Sequence, residues 1–341
     1  MRRNPFIDNL KGAACLLVMA HHLAFYGPMS DVAYALVPES TEWLFNYGRM
    51  AVAMFLAIGG FFTGLRLSQA NVFVKKSISE FVWHKYVRLI VPYLAAITLA
   101  IACSWLARQW MDHESIPEPP TLLQLLSHAF LLQNLLGFES LSAGVWYVAI
   151  DFQLFTVSFL LIFLIERISP ASWSYKTTHT ISIGLLTALS VASLFVFNRN
   201  EQLDNTFLYF YGAYGLGILS AYAYHSKQTA IGLALLSAIG LAALYLEFRE
   251  RIAIALIVAL VIGLFCKRGW HTWKIWHNPL ESLGKISYSV FLVHFPVSLI
   301  VNSTLTRFYP DHAVYNLLGM LAAIILSICV ALPFHQVFEK R

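Results

Sequence analysis

The feature that most constrains this chain is a series of ten apolar segments whose lengths approach or match the thickness of a bilayer. A helix needs about 17–25 mostly apolar residues to cross the hydrocarbon core. Charged residues make up only 12% of the 341 residues, against about 25% in a soluble globular protein. The sequence therefore predicts an integral membrane protein. The predicted spanning helices are 10–28, 48–67, 89–110, 145–165, 178–197, 206–224, 229–246, 252–266, 283–303 and 313–334.

The distribution of basic residues predicts how these helices are oriented. Cytoplasmic loops of membrane proteins carry an excess of Lys and Arg. With both termini in the cytoplasm, 17 of the 23 basic residues fall on the cytoplasmic side and 12 of the 18 acidic residues fall on the outer side. A miscounted helix would invert the later loops and remove this bias. We therefore expect an all-α integral membrane protein with about ten transmembrane helices and cytoplasmic N- and C-termini.

The segments between the predicted helices are too short to form cores of their own. The chain is thus expected to be a single membrane domain, 1–341, with no appended soluble domain. The segment 121–138 is apolar but carries His128, Gln133 and Asn134 and follows the helix-breaking run SIPEPP. It is predicted to be an interfacial or re-entrant helix.

The first apolar segment is unusual because it places two histidines, His21 and His22, in the hydrocarbon. Ionisable groups inside a membrane are unfavourable and usually mark function. Lys11 and His22 are eleven residues apart, a step that returns to nearly the same helix face about 16 Å further along. One stripe of this helix therefore contains Asp8, Lys11, Cys15, Val18 and His22.

Three titratable residues on three predicted helices, His22, Asp151 and His294, lie at a similar depth when 1.5 Å is counted per residue. A carboxylate beside an imidazole fixes its tautomer and raises its basicity, which is what a general base requires. A buried structural polar pair is the alternative interpretation. His21 points about 100° away from His22 and is interpreted as a residue that supports the site indirectly or as a structural one.

Two further clusters are open to more than one interpretation. Lys85 and Arg88 are three residues apart, so they can clamp a phosphate-bearing ligand at the inner surface or simply meet lipid headgroups. Glycines in AIGGFFTG allow close helix packing or room for a ligand chain. The four cysteines have no Cys-x-x-Cys spacing, so no disulfide framework and no metal site are expected.

Several stretches resemble signatures of the acyltransferase-3 family of bacterial membrane proteins. The first is FIDNLKGAACLLVMAHH, which is similar to a signature with a basic residue and, after ten residues, an essential His; Lys11 and His22 occupy these positions. The second is FLAIGGF, where Gly59 replaces the family's Ser. The third is HKYVRLIVPY, which is similar to Arg-x-x-Arg-[Ile/Leu]-x-Pro, with Lys85 and Arg88 at the two basic positions.

Two later stretches complete the resemblance. GVWYVAIDFQLF is similar to Trp-Ser-Leu-x-x-Glu, with Trp146 kept, Tyr147 in place of Ser and Asp151 in place of Glu. LGKISYSVFLVHFPV is similar to the late signature of the family at Tyr288 and His294. The five stretches occur in order and cover nearly the whole chain.

The resemblance implies a multi-pass enzyme of the bacterial inner (cytoplasmic) membrane that transfers an acyl group, commonly acetyl. The donor would be cytoplasmic acyl-CoA, and the acceptor a hydroxyl of a cell-envelope or secreted carbohydrate. Lys85 and Arg88 would bind the CoA phosphates, and Lys11 would help to steer the same anion. His22 would act as general base on the acceptor hydroxyl or would itself be acylated.

The resemblance also implies roles around His22. Asp151 would orient His22 or hold the acceptor, and His294, Trp146 and Tyr288 are expected to contact substrate. Expected partners are acyl-CoA on the cytoplasmic side, a glycan or glycolipid on the outer side and membrane lipids, with no nucleic acid and no metal. The alternative is a proton-coupled transporter or glycan exporter that uses His22, Asp151 and His294 as a relay. Such a transporter predicts inverted repeats with broken helices, which the sequence lacks.

Overall fold

The structure is a computed structural model that describes residues 4–69, 77–170, 172–269 and 278–340. All regular secondary structure in these ranges is helical, as predicted. In chain order the α-helices are α1 (Pro5–Phe25), α2 (Pro28–Ala33), α3 (Pro38–Tyr47), α4 (Ala51–Leu67), α5 (Ile78–Ala107), α6 (Leu122–Ala129), α7 (Trp146–Ile168), α8 (Tyr175–Phe195), α9 (Phe207–His225), α10 (Thr229–Leu246), α11 (Glu250–Lys267), α12 (Pro279–Lys285), α13 (Ser287–Phe308) and α14 (Ala313–Phe334).

Within the described ranges, seven helical stretches are long and apolar enough to cross a membrane, which makes the chain an integral membrane protein. They are Pro38–Leu67, Ile78–Ala107, Trp146–Ile168, Tyr175–Arg199, Thr229–Leu246, Ser287–Phe308 and Ala313–Glu339. The other predicted spans, α1, α9 and α11, are helices of comparable length with more polar composition: two histidines in α1, several tyrosines in α9 and charged ends in α11. The count of ten and the orientation of the termini stay predictions.

One helix begins much earlier than the sequence predicted. Helix α5 starts at Ile78 instead of residue 89, so Lys85 and Arg88 lie inside the helix and do not precede it. Nothing between 78 and 88 breaks a helix, and charged residues are tolerated where a span meets the membrane surface. This correction matters because it gives both cations a fixed helical framework.

The segment 121–138 contains only a short helix, α6, followed by turns. Thr121 caps this helix, because its hydroxyl oxygen accepts a hydrogen bond from the Gln124 N–H at 3.2 Å. Beyond α6 the chain turns sharply at Leu131, which has a positive φ of 57° although it is not glycine. The prediction of a helix that does not span the membrane agrees with its eight-residue length.

The helices are grouped in two units, each packed around its own interior. The first unit contains Met1–Ile7, Val52–Tyr86 and Ile150–Trp273. The second unit contains Asp8–Ala51, Val87–Ala149 and Lys274–Arg341. Helices α5 and α7 contribute residues to both units. The expectation of a single membrane domain stays a prediction.

The first unit is built around α9, which packs against α8, α10 and α11. Helix α4 also lies close to α9, because a Cβ on Gly60 would collide with the carbonyl of Tyr214, and a Cβ on Gly217 would collide with that of Ala57. Gly60 of the AIGGFFTG stretch therefore serves helix packing. Buried tyrosines of α9 find hydroxyl partners, with Tyr214 Oη 2.6 Å from Thr63 Oγ1.

The second unit contains α1, α12, α13 and α14. Helix α12 lies against the first turns of α1, because a Cβ on Gly284 would collide with the carbonyl of Asp8, and a Cβ on Gly12 with that of Leu280. Further along α1, Cys15 Sγ lies 3.7 Å from the carbonyl oxygen of Ser287 at the start of α13. Two members of the stripe predicted on the first helix, Asp8 and Cys15, therefore lie against α12 and the start of α13.

Candidate active site

The two histidines predicted to lie at one depth, His22 and His294, are in direct contact in the second unit. His22 Nδ1 is 2.6 Å from His294 Nε2, and the two rings stack with centroids 4.9 Å apart at an interplanar angle of 13°. His294 is 1% exposed, whereas His22 is partly exposed. Helices α1 and α13 thus present one buried and one accessible imidazole to each other.

The hydrogen bonds of this pair determine which nitrogen atoms carry protons. His294 Nδ1 lies 2.7 Å from the carbonyl oxygen of Phe291, which can only accept, so this nitrogen is the protonated one. His294 Nε2 then carries a lone pair and accepts the proton of His22 Nδ1. The neutral ring of His22 consequently has its lone pair on Nε2. A histidine held in one tautomer by a second group is the arrangement of a general base or nucleophile.

Gly144 forms one wall beside His22, and sequence reasoning did not identify it. It has a φ of +81°, and a Cβ placed on it would lie 3.1 Å from His22 Cε1 and 3.0 Å from Phe291 Cζ. Only glycine fits both the left-handed backbone and the close approach. Tyr26 packs edge-on against His22, with ring centroids 5.5 Å apart. The sequence feature that could have identified Gly144 is its position at the start of the GVWYVAIDFQLF stretch, two residues before Trp146.

His128 supports the turn that carries Gly144. Its side chain is fully buried, its Nδ1–H donates to the carbonyl of Gln124 at 2.9 Å, and its Nε2 accepts from the Leu141 N–H at 3.2 Å. Burial lowers the pKa of His128, which keeps the ring neutral and its Nε2 able to accept. Tyr93 stacks on this ring and accepts a hydrogen bond from Gln133 Nε2 at 3.1 Å. The polar residues noted in 121–138 therefore have structural partners.

His21 has a packing role in this structure. Its ring lies with Nδ1 2.9 Å from the carbonyl oxygen of Leu44 in α3, to which Nδ1–H donates. Gly48 approaches the same residue so closely that a Cβ there would lie 2.6 Å from His21 Cβ. This agrees with the structural interpretation of His21 made from its helix face.

A second polar cluster lies in the first unit, where Lys85 of α5 meets Asp151 of α7. Lys85 Nζ is 2.5 Å from Asp151 Oδ2, and the ammonium lies 5.4 Å from the ring centroid of Phe155. The two charged side chains are only 21% and 11% exposed. The sequence assigned Lys85 to CoA and Asp151 to His22, and did not anticipate this ion pair. Orientation of His22 by Asp151 stays a prediction, since these residues belong to different units.

Gly59 lies beside the same carboxylate. A Cβ on Gly59 would be 3.1 Å from Asp151 Oδ1 and 3.3 Å from Tyr214 Cε2. The position of the family's serine therefore lies beside a carboxylate and beside Tyr214, whose hydroxyl is hydrogen-bonded to that of Thr63. With glycine here, the carboxylate keeps its second oxygen clear of a neighbouring side chain.

The other predicted site residues have definite surroundings. Lys11 pairs with Asp8 at 2.7 Å, and Arg88 is exposed and forms no ion pair with a described acidic residue. The hydroxyl of Tyr288 donates to the carbonyl of Leu89 at 2.9 Å. The carbonyl of Trp146 accepts from Asn134 Nδ2 at 3.4 Å. In the described ranges, no three metal-ligating side chains come together. Substrate contacts of Tyr288, Trp146 and His294 stay predictions.

Comparison with known proteins supports the resemblance over nearly the whole of this sequence. Residues 4–335 match the family model Acyl_transf_3, which describes an acyltransferase domain. No curated protein and no solved structure matches the chain. The match includes both histidines of the pair on α1 and α13 and both residues of the Lys85–Asp151 ion pair. The chain therefore belongs to the acyltransferase-3 family.

Proposed function

We propose that this membrane protein is an O-acyltransferase that moves an acyl group, acetyl in the simplest case, from cytoplasmic acyl-CoA to a hydroxyl of a cell-envelope or secreted carbohydrate. Membership of the family supports acyl transfer as the reaction class. The observation that carries the assignment of a site is the hydrogen bond from His22 Nδ1 to His294 Nε2, which leaves His22 Nε2 with its lone pair.

Transfer from a thioester to an alcohol requires a group that removes a proton from the alcohol and returns it to the leaving thiolate. His22 Nε2 performs both steps in this proposal. His294 keeps the His22 ring in the correct tautomer and accepts from Nδ1 when the ring becomes charged. Direct acylation of the same nitrogen is the other chemical route, and both routes depend on the same two histidines.

The donor end of the reaction is assigned to the cations near the start of α5 and α1. Arg88 is the principal residue, because it is exposed and presents a planar guanidinium suited to phosphate. Lys11 and Lys85 already neutralise Asp8 and Asp151, so either lysine would have to share or exchange its partner to bind CoA. Arg88→Ala should therefore raise the KM for acyl-CoA more than Lys11→Ala does.

A proton relay through His22, His294 and Asp151 is the competing function. The histidine pair fits such a relay as well as it fits acyl transfer. The ion pair with Lys85 gives Asp151 a cationic partner in place of an imidazole, and this favours acyl transfer over the relay. Consumption of acyl-CoA separates the two, since a transporter does not release CoA.

The test is release of CoA by the purified protein in lipid nanodiscs, supplied with acetyl-CoA and an extract of envelope glycans. His22→Ala should lower the transfer rate by about 10²–10⁴-fold while the protein stays folded, as judged by its elution volume and thermal unfolding. The matched control is His312→Ala, which removes an exposed imidazole at the start of α14. Activity of the His22 variant near that of the unmodified protein would refute the assignment.

A further inference from the structure

The turn before α7 contains a buried hydroxyl, that of Ser142, which has no role in the mechanism proposed above. Ser142 is 1% exposed, and its Oγ has no hydrogen-bond partner among the described residues. Buried polar groups in native structures almost always have a partner, and an exception requires an explanation. In an active site, such a group is often one whose partner arrives with the substrate.

The position of Ser142 in the fold indicates why its hydroxyl has no partner. Its carbonyl accepts from the Val145 N–H at 3.4 Å, which closes the turn containing Gly144, and Gly144 lies against the His22 ring. His128 holds the preceding residue through the Leu141 N–H. The turn is also anchored by apolar packing, in a cluster that contains Ala107, Met111, Ile116, Ala143, Phe295 and Leu299. Ser142 thus belongs to an anchored turn, another residue of which, Gly144, lies against the His22 ring.

We propose that Ser142 is a further catalytic residue, whose O–H donates a hydrogen bond to the acyl carbonyl oxygen during transfer. This inference rests on the proposed acyltransferase function. Hydrogen-bond donors fixed where negative charge develops are among the largest contributions to catalysis of acyl transfer. A donor that is already desolvated and unpaired is ready for this role, because no existing bond has to be broken.

The proposed reaction step uses both side chains, His22 as base and Ser142 as hydrogen-bond donor. His22 Nε2 takes the proton of the acceptor hydroxyl as its oxygen bonds to the thioester carbon. The π electrons of the carbonyl move to its oxygen, which receives the hydrogen bond from Ser142. The tetrahedral intermediate then reforms the carbonyl, the carbon–sulfur bond breaks, and the thiolate takes the proton from His22 Nε2. The products are an ester and CoA, and Ser142 keeps its proton throughout.

Ser104 provides a matched control in the same unit. It is also a buried serine whose Oγ has no partner among the described residues, and it lies within helix α5. A helical serine can turn its hydroxyl to a carbonyl of its own preceding turn, whereas Ser142 lies outside the helices. Removing either hydroxyl should leave thermal stability unchanged or raised, because a buried group without a partner is lost.

The experiment measures acetyl transfer and thermal unfolding of Ser142→Ala and Ser104→Ala. We expect Ser142→Ala to lose about 10²–10³-fold in kcat, with an unchanged KM for acetyl-CoA and an unchanged or higher unfolding temperature. Ser104→Ala should keep full activity. A Ser142 variant with full kcat, or with a loss of kcat that follows a loss of stability, would overturn the inference. Absence of acetyl-CoA turnover by the unmodified protein would instead overturn the proposed function and this inference together.

Discussion

His294 illustrates how a buried residue can determine the tautomer of the histidine beside it. Its Nδ1 donates to the carbonyl of Phe291, so its Nε2 can only accept from His22. If the two nitrogens exchanged roles, the lone pair of His22 would lie on Nδ1, facing His294. The backbone carbonyl of Phe291 is therefore the origin of the tautomer that the proposed reaction uses.

Replacing His294 tests this dependence. His294→Ala should lower kcat by about 10²–10⁴-fold, with little change in the KM for acyl-CoA, because the His22 ring would be free to adopt either tautomer. Steady-state kinetics in nanodiscs give both constants. The control is His335→Ala, which removes an imidazole bonded to Glu339 at 2.8 Å in the same unit. A His294 variant with the kcat of the unmodified protein would show that the pair is only structural.

The positions and roles of some single residues could be predicted from the sequence, and those of others could not. The face of α1 that carries Lys11, Cys15 and His22 follows from helical periodicity alone. In the structure these residues contact Asp8, Ser287 and His294, respectively. Gly144 and Ser142 were not found, because their importance depends on how an irregular turn packs against α1. No periodic pattern records such a contact between residues more than a hundred positions apart.

At the level of helices, the most informative contact joins α5 and α7 through Lys85 and Asp151. Two charges that are mostly shielded from water are stable together, but either alone is strongly unfavourable. Both residues lie in stretches whose sequences resemble signatures of the family. The sequence did not predict that they pair, because the predicted start of α5 was too late to include Lys85 in the helix.

A double-mutant cycle measures this pair. Lys85→Met should destabilise the protein by about 3 kcal/mol, since it leaves the Asp151 carboxylate without its cation. Adding Asp151→Leu should recover most of that loss. Thermal unfolding in detergent gives a shift in unfolding temperature for each variant. The enthalpy of unfolding converts that shift into a free-energy difference. Lys285→Met is the control, because the Lys285–Glu281 pair is more exposed and should contribute less than about 1 kcal/mol. Strictly additive effects of the two substitutions would contradict a coupled pair.

At the level of the whole molecule, the all-helical membrane architecture was predictable and the number of spans was not settled by composition. Apolar length identifies α7, α13 and α14 as membrane spans. Helix α9 is buried by other helices of its unit, so it tolerates tyrosines and glycines that lower its hydropathy. A helix surrounded by protein does not need the apolar surface that a lipid-facing helix needs.

The predicted orientation can be tested by labelling cysteines from outside intact cells. Asp311→Cys, in the exposed link between α13 and α14, should react with a membrane-impermeant maleimide, because this link is predicted to be outside. Lys227→Cys, exposed between α9 and α10, should react only after permeabilisation. Cys329 should first be replaced by Ser, since it is an exposed thiol. The opposite pattern of labelling would invert the topology.

The contact between His22 and His294 also has a consequence for how the protein is made. The two residues are 272 positions apart in the chain, and His294 lies in the next-to-last α-helix of the described structure. During synthesis, α1 enters the membrane long before its partner leaves the ribosome. A nascent chain therefore holds a histidine with no fixed tautomer, and the reactivity proposed for His22 arises only after α13 has been synthesised.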